Sequence, residues 1–368
     1  MADIPLVDLR EQHRQVAEEV ARGFARVLES GCFVLGPEVE GFEAAFARFS
    51  AVEHCVGVAN GTDALEIALR AAGVGPGDEV IVPVNSFIAT ALAVARAGAV
   101  PVLADCDPDH HLIDVAEVAR KIGARTRAIV PVHLYGQLAP MEELERLVRG
   151  SGVVLVEDAA QAHGATRHGR APGAFGLAAG TSFYPGKNLG AYGDAGAILT
   201  NDEAIQRRAR ALRNYGSDVK YAHPETGFNS RLDPLQAVVL SAKLRRLTLW
   251  NEQRREAARR YDALLAGAPG VCLPATLPGN EPVWHLYVVR VPRRDEVLAK
   301  LRAAGIQAAV HYPTPIHLQG AFRSLGHRRG DFPVAEAAAG AVLSLPIYPG
   351  ITPAQQERVA EVLRAAVV

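Results

Sequence analysis

A chain of 368 residues is long enough for about two domains with a sizeable core. Its 49% hydrophobic and 21% charged residues are typical of a globular protein, and its net charge of −1 gives no electrostatic support for a nucleic-acid or anionic-membrane partner. The four cysteines form no CxxC pattern and no uninterrupted apolar run approaches 18 residues, so the sequence predicts a soluble, cytoplasmic protein without a disulfide framework or metal site.

The N-terminal half alternates short apolar runs with helical patterns. Residues 1–15 are predicted to form an arm, joined to a helix at about 15–29. The alternation between residues 54 and 200 is typical of an α/β protein with a mostly parallel sheet covered on both faces. The predicted strands are 55–59, 79–83, 100–104, 128–134, 153–157, 180–184 and 197–200, and the predicted helices among them are 64–72, 89–97, 115–122 and 141–148.

The pattern changes in the C-terminal half. A helix at 202–213 precedes a polar loop at 214–229 and a long helix from 234 to about 265. A strand at 284–291, a helix at 294–304, a Pro/His-rich loop at 311–319 and a helix at 353–366 then predict a smaller α/β domain. The predicted organisation is an N-terminal arm (1–15), a large domain (16–250) and a small C-terminal domain (251–368).

Several polar or aromatic residues come directly after the predicted strands. In α/β sheets, ligands collect at the carboxyl ends of the strands. The residues at such positions are Asn60, Phe87, Asp105, His133, Asp158 and Lys187.

The strand-end acid Asp158 and the later Lys187 together indicate a cofactor. A buried carboxylate needs a partner, and a pyridinium N–H would supply one, although a helix cap or a structural arginine would also do so. Lys187 lies in the turn Ser182-Phe183-Tyr184-Pro185-Gly186-Lys187 and is one of only five lysines. A lysine beside glycine is usually a solvated turn residue, but a partly buried lysine can form a Schiff base, which arginine cannot. The pair therefore predicts pyridoxal phosphate.

Other residues fit the same ligand. Asn60-Gly61-Thr62 opens a helix after a strand, where free N–H groups can hold a phosphate, although Thr62 can also be a simple N-cap. Phe87 could stack on a flat ring or belong to the core. The polar loop before Asp233-Pro234, with Asn229 and Arg231, suits an anion or an ordinary helix start.

Five motifs in this order resemble one family, the DegT/DnrJ/EryC1/StrS nucleotide-sugar aminotransferases. The resemblance extends to Tyr312-Pro313-Thr314-Pro315-Ile316-His317 and so covers nearly the whole chain. The motifs are Asn60-Gly61-Thr62-Asp63-Ala64-Leu65, Glu157-Asp158-Ala159-Ala160-Gln161-Ala162-His163-Gly164, Ser182-Phe183-Tyr184-Pro185-Gly186-Lys187-Asn188-Leu189-Gly190, Gly193-Asp194-Ala195-Gly196-Ala197 and Asn229-Ser230-Arg231-Leu232-Asp233-Pro234.

The resemblance implies a fold-type I, aspartate-aminotransferase-like enzyme that binds pyridoxal 5'-phosphate and is a homodimer with shared active sites. Lys187 would form the Schiff base and Asp158 would pair with the pyridinium nitrogen. The other roles that it implies are Gln161 near the ring hydroxyl, Phe87 on the ring, Gly61, Thr62 and Ser182 at the phosphate, and Asn229 from the neighbouring subunit. Arg231, Tyr312 and His317 are further candidates for substrate contacts.

The implied reaction moves an amino group from L-glutamate to a nucleotide-linked ketosugar, with pyridoxamine phosphate as the intermediate cofactor form. The run Asp158-Ala159-Ala160-Gln161-Ala162-His163-Gly164 is more similar to members that aminate C3 of dTDP-linked sugars than to those acting at C4. Relatives with histidine at the lysine position are deoxygenating enzymes, and Lys187 argues against that activity. Two alternatives stay open, another enzyme of the same cofactor and fold, and a non-catalytic regulator.

Overall fold

The structure, a computed structural model, describes residues 3–367. Its strands are β1 His54–Val58, β2 Glu79–Pro83, β3 Val100–Ala104, β4 Thr126–Ile129, β5 Val154–Asp158, β6 Thr166–Arg167, β7 Ala178–Ser182, β8 Gly196–Thr200, β9 Asn280–Glu281, β10 Tyr287–Arg290 and β11 Val342–Leu345. Its α-helices are α1 Leu9–Ser30, α2 Pro37–Phe49, α3 Gly61–Ala71, α4 Ala89–Arg96, α5 Val115–Lys121, α6 Met141–Val148, α7 Glu203–Arg213, α8 Pro234–Leu265, α9 Arg294–Ala303, α10 Pro333–Ala341 and α11 Pro353–Val367.

Within residues 3–367, seven strands form the central sheet in the order β1-β8-β7-β5-β4-β2-β3. The five strands from β7 to β3 pair in parallel, whereas β8 runs antiparallel to both β1 and β7. This arrangement confirms the predicted fold class, a mostly parallel sheet flanked by helices. The parallel strands share one carboxyl edge, so residues that follow them in sequence are brought together there.

Both faces of the sheet are buried, which explains why its strands are continuous apolar runs. In β2, Val80 and Val82 pack into the core on one face, while Ile81 packs into the core on the other. Successive side chains of a strand point to opposite faces, so a strand covered on both sides needs apolar residues at every position.

A second core is built around the antiparallel pair β10–β11. It contains Tyr261 and Leu265 from the end of α8, together with residues of α9 and α11. The N-terminal Ile4 also packs into this core, and its backbone bonds to Gly305 and Gln307 hold it there. Helix α8 contributes Leu240 and Leu247 to the core of the large sheet, so the two cores share one helix across residue 250.

Several element predictions were incomplete. Helix α1 begins at Leu9, earlier than expected, because Asp8 caps it by accepting the N–H of Arg10. Helices α2 and α10 and strand β11 were not predicted. The expected strand at 284–291 is limited to Tyr287–Arg290, since Trp284 has a φ of +47°, outside the extended region. The expected strand at 128–134 ends at Ile129.

Candidate active site

A cavity of about 700 Å³ lies at the carboxyl edge of the central sheet. It is lined by residues from the large sheet, from the N-terminal segment and from the segment that leads into β10. Eight of the predicted site residues line it: Gly61, Thr62, Phe87, Asp158, Gln161, Ser182, Lys187 and Tyr312.

Lys187 lies in the turn that follows β7, where its N–H donates to the carbonyl of Tyr184 at 2.9 Å. The side chain lines the cavity and is partly accessible from it. Burial lowers the pKa of Lys187 to about 8, although the nearby Asp158 carboxylate opposes this shift. A larger fraction of the amine is therefore neutral near pH 7 than for an ordinary lysine, as nucleophilic attack requires.

The lowered pKa predicts a distinctive pH dependence for the uptake of pyridoxal phosphate by the cofactor-free protein. Below pH 8 the fraction of neutral amine rises about tenfold per pH unit, and above pH 8 it levels off. The uptake rate, followed by visible absorbance, should therefore rise between pH 7 and 8 and become nearly constant by pH 9. A rate that keeps rising to pH 10 would indicate an unperturbed lysine and contradict the expectation.

Asp158 ends β5 and is buried, yet its carboxylate reaches the cavity. Oδ2 accepts a hydrogen bond from Thr90 Oγ1 at 2.7 Å, and Oδ1 accepts one from the N–H of Ala160 at 3.2 Å. Burial raises the pKa of Asp158, while these two hydrogen bonds and Lys187 favour the ionised form. A cation placed against this carboxylate would favour ionisation further.

The neighbouring acid, Glu157, points to the other face of the sheet. It is fully buried, and its Oε2 lies 2.8 Å from Nε2 of His133. Its Oε1 accepts the N–H groups of Gly173 and Gly176 at 3.0 and 2.8 Å. Alternation along the strand thus separates the two acids, so Asp158 faces the cavity while Glu157 and His133 form a structural network.

An anion-binding corner lies at the N-terminus of α3. Asn60 caps the helix through the N–H of Asp63, and the N–H groups of Gly61 and Thr62 have no hydrogen-bond acceptor among the described residues. Ser182, at the end of β7, packs so closely that a Cβ on Gly61 would lie 2.5 Å from the Ser182 Cβ. Free N–H groups, a helix N-terminus and a hydroxyl suit a phosphate.

The close packing at this corner predicts that Gly61→Ala weakens cofactor binding. The added methyl group must displace Ser182, and overpacking of this kind typically costs about 1–3 kcal/mol. We expect the dissociation constant for pyridoxal phosphate, measured by absorbance titration, to rise by about tenfold or more. Gly75→Ala is the matched control, because a Cβ at Gly75 meets no atom within 4 Å. Equal affinities of the two variants would contradict the assignment of this corner.

An aromatic wall borders the cavity. Phe87 is 54% exposed, and its ring centroid lies 5.4 Å from that of Tyr312. Gln161 donates from Nε2 to Tyr312 Oη at 3.1 Å and accepts the N–H of Tyr135 at 2.6 Å. An exposed ring inside a cavity can stack on a planar ligand, and the fixed amide of Gln161 places polar atoms beside it.

Three predicted residues do not line the cavity of their own chain. Asn229 is exposed and pairs through its backbone with Asn214. Arg231 donates to Asn214 Oδ1 at 3.1 Å, beside the ring of Tyr215. His317 is 3% exposed and its Nε2 lies 2.9 Å from Glu336 Oε1, so its position gives no support to a substrate contact.

Sequence reasoning missed several residues that shape the site. Thr90, which holds Asp158, lies three residues beyond Phe87 and so occupies the same end of α4, a spacing that could have indicated it. Tyr184 belongs to the quoted motif around Lys187 and His311 to the predicted loop at 311–319, but neither was assigned to the site, and the remaining residues have no local pattern that indicates them. These are Leu6, Val7, Arg96, His285 and Leu286.

The donor set of the cavity fits pyridoxal phosphate. The free N–H groups at the start of α3 suit its phosphate, the buried carboxylate of Asp158 suits its ring nitrogen, and Lys187 suits its aldehyde.

Within residues 3–367, no cluster of three or more His, Cys, Asp or Glu side chains is arranged to hold a metal ion. Over the same residues, no helix is both long and apolar enough to span a membrane.

Comparison with known proteins gives consistent results. The model of the DegT/DnrJ/EryC1/StrS aminotransferase family matches residues 14–364. The chain is 49% identical to dTDP-3-amino-3,4,6-trideoxy-alpha-D-glucose transaminase from Streptomyces venezuelae, covering 98% of this chain and 95% of the relative. It is also 49% identical to the erythromycin biosynthesis sensory transduction protein EryC1 of Saccharopolyspora erythraea, over 99% of both chains.

Among solved structures, the chain is similar to DesV of S. venezuelae in complex with a ketimine intermediate. The TM-score is 0.97 and the sequence identity 48%, with 99% of this chain and 98% of that chain covered. The agreement in fold therefore extends over nearly the whole chain.

Proposed function

Because the chain belongs to the DegT/DnrJ/EryC1/StrS aminotransferase family of pyridoxal-phosphate-dependent enzymes, we propose that it transfers the amino group of L-glutamate to the C3 keto group of a dTDP-linked deoxysugar. The observation that carries the proposal is the placement of Lys187 and Asp158 in one cavity with the anion-binding corner of α3. The choice of C3 and of dTDP is supported by the similarity to the S. venezuelae transaminase.

Asp158 and Lys187 have different roles in the proposed reaction. When bound, pyridoxal phosphate supplies an aldehyde for attachment of the amine and a conjugated ring that accepts electrons. Asp158 holds the negative charge that keeps the ring nitrogen protonated. With the cofactor bound, Lys187 Nζ would take a proton from Cα of the amino donor and would later deliver one to the sugar carbon that receives the amine. A positioned acid/base of this type contributes roughly 10²–10⁴-fold in rate.

The assembly that we propose is a homodimer in the cytoplasm. Asn229 lies on the surface rather than in its own cavity, which leaves it available to a neighbouring subunit. The rings of Phe33 and Tyr184 are also exposed, by 54% and 59%. Tyr184 lines the cavity as well, so a subunit packed against its exposed ring would border the site.

The test begins with L-glutamate alone. The purified holoenzyme should lose its visible absorption, gain that of pyridoxamine phosphate and release one 2-oxoglutarate per site. Addition of a dTDP-linked 3-ketosugar should then restore the visible band, and the matching 4-ketosugar should do so more slowly. D-glutamate is the control donor. An enzyme that is indifferent to L-glutamate but accepts another amino acid would refute the proposed donor, and preference for the 4-ketosugar would refute the proposed position.

A regulatory role is the second candidate, favoured by the name of the S. erythraea relative, a sensory transduction protein. A regulator would need to bind the cofactor and the sugar without turnover. The lowered pKa of Lys187 and the cavity-facing carboxylate of Asp158 support catalysis instead. Release of 2-oxoglutarate in the experiment above distinguishes the two.

A further inference from the structure

The residue that follows Lys187 is buried behind the cavity. Asn188 is 2% exposed, and its Nδ2 donates to the carbonyl of Val283 at 2.9 Å and to Oδ1 of Asn251 at 3.0 Å. Its Oδ1 lies 3.2 Å from Nδ1 of His285. Both polar ends of this amide are therefore engaged, as burial requires.

The direction of every bond in this network is determined. The carbonyl of Val283 can only accept, so Nδ2 of Asn188 faces it and Oδ1 faces His285. Nδ1 of His285 must then carry the proton and donate. Burial, and next the charge of Lys187, lower the pKa of His285 well below its ordinary value, so the ring is neutral and a single tautomer fits.

The partners of Asn188 belong to two separate parts of the fold. Asn251, itself 2% exposed, lies in α8 and donates to the carbonyl of His163 at 2.8 Å. Val283 and His285 belong to the segment that leads into β10, and His285 also lines the cavity. Asn188 thus connects the backbone beside Lys187 to both α8 and residues 283–285.

The turn that carries Lys187 is also held at its C-terminal end, at Gly190. Lys243, in α8, donates from Nζ to the carbonyl of Gly190 at 2.6 Å. The loop is folded so tightly that a Cβ on Gly190 would lie 2.2 Å from the carbonyl oxygen of Pro185. Gly190 is held by Lys243 and the N–H of Lys187 by the Tyr184 carbonyl, so the side chain of Asn188 adds a third restraint, directly beside Lys187.

We propose that Asn188 is a positioning residue for Lys187, whose buried amide sets where the lysine Nζ lies in the cavity. The experiment below rests on the proposed function in its use of L-glutamate, whereas its spectroscopic part requires only the cofactor. A displacement of about 1 Å at a reacting group can cost on the order of 10²-fold in rate, so loss of the amide should affect the chemical step more than binding.

The variants are Asn188→Ala, which removes the amide, and Asn188→Asp, which has the same shape but cannot donate to Val283 or Asn251. Asn280→Ala is the matched control. Asn280 also donates two amide hydrogen bonds, to the Leu138 carbonyl at 2.8 Å and to Gln137 Oε1 at 3.3 Å, and it does not line the cavity. If the Asn188 variants fail to fold, Asn251→Ser tests the same hydrogen-bond network from its α8 side.

Three properties of each holoenzyme are measured. They are the pH midpoint of the visible absorption of the lysine-bound cofactor, the kcat and KM of the L-glutamate half-reaction, and the melting temperature. We expect both Asn188 variants to lose about 10–100-fold in kcat with little change in KM, and to shift the spectral midpoint by about half a pH unit or more. Asn251→Ser should change kcat and the spectral midpoint in the same direction, but by less. Asn280→Ala should lower only the melting temperature.

A purely structural role for Asn188 gives a different result. The proposal is overturned if Asn188→Ala, or Asn251→Ser in its place, melts at a lower temperature while the spectral midpoint and kcat match those of Asn280→Ala. If the wild-type enzyme does not react with L-glutamate, the proposed donor is wrong. The spectral midpoint still decides the role of Asn188 in that case, because it requires no donor.

Discussion

Lys187→Ala is expected to abolish transamination while leaving the fold intact. Alanine can neither attach to the cofactor nor move a proton at the donor Cα, and the proton transfer alone is worth roughly 10²–10⁴-fold. We expect no 2-oxoglutarate above background in a steady-state assay with L-glutamate. Borohydride reduction should couple the cofactor to the peptide that contains residue 187 in the wild-type protein and not in the variant.

The matched control for this change is Lys300→Ala. Lys300 is exposed, and its Nζ donates to the carbonyl of Ala366 at 2.9 Å in α11, outside the cavity lining. Its loss should leave turnover within about twofold of wild type. Substantial activity in a folded Lys187→Ala protein would remove the basis of the proposed function.

Asp158→Asn is expected to bind the cofactor but to react far more slowly. Asparagine has the shape of aspartate and keeps an acceptor for Thr90 Oγ1, but it carries no charge to hold a proton on the ring nitrogen. Loss of one preorganised electrostatic partner typically costs about 10²–10³-fold in kcat. Single-turnover formation of 2-oxoglutarate measures the effect, and cofactor absorbance checks occupancy.

Asp105→Asn is the matched control for Asp158. Asp105 is also a buried acid that follows a strand, but its carboxylate accepts the N–H groups of Val334 and Ala335 at the start of α10, at 3.0 and 2.9 Å. An amide there places a donor against donors, which should lower the free energy of unfolding by about 1–3 kcal/mol without affecting the rate. Near-wild-type kinetics for Asp158→Asn would refute its electrostatic role.

The fold class and the central chemistry could be predicted because their signals are local. A strand covered on both faces is apolar at most of its positions, so β2, β3 and β5 were recognisable as short hydrophobic runs. Parallel strands share a carboxyl edge, so residues that follow different strands, such as Phe87, Asp158 and Lys187, were expected to meet there, and they line one cavity.

Short or atypical elements were harder to predict. Helix α2 carries Val39, Phe42 and Phe46 at helical spacing, so its signal was present although it was not recognised. Strand β11 has only four residues, Val342–Leu345, directly after α10, and it is defined by its pairing with β10. Such a segment depends on a partner far away in sequence.

Sequence alone predicted the kind of chemistry, because a lysine in a tight turn, a strand-end acid and a helix that opens on Gly61 occur together in one ordered set of motifs, whereas each of them alone has an ordinary structural explanation. Only the tertiary structure decided which side chains face the cavity. Alternation along β5 turns Asp158 toward it and Glu157 away. His285 and Asn251 both lie near Lys187, although they are 98 and 64 residues away from it in the chain. The packing of α8 and of the second core brings them there, and no local sequence pattern predicts that packing. Contacts of this range depend on the complete fold, since each is stabilised by elements that only packing brings together.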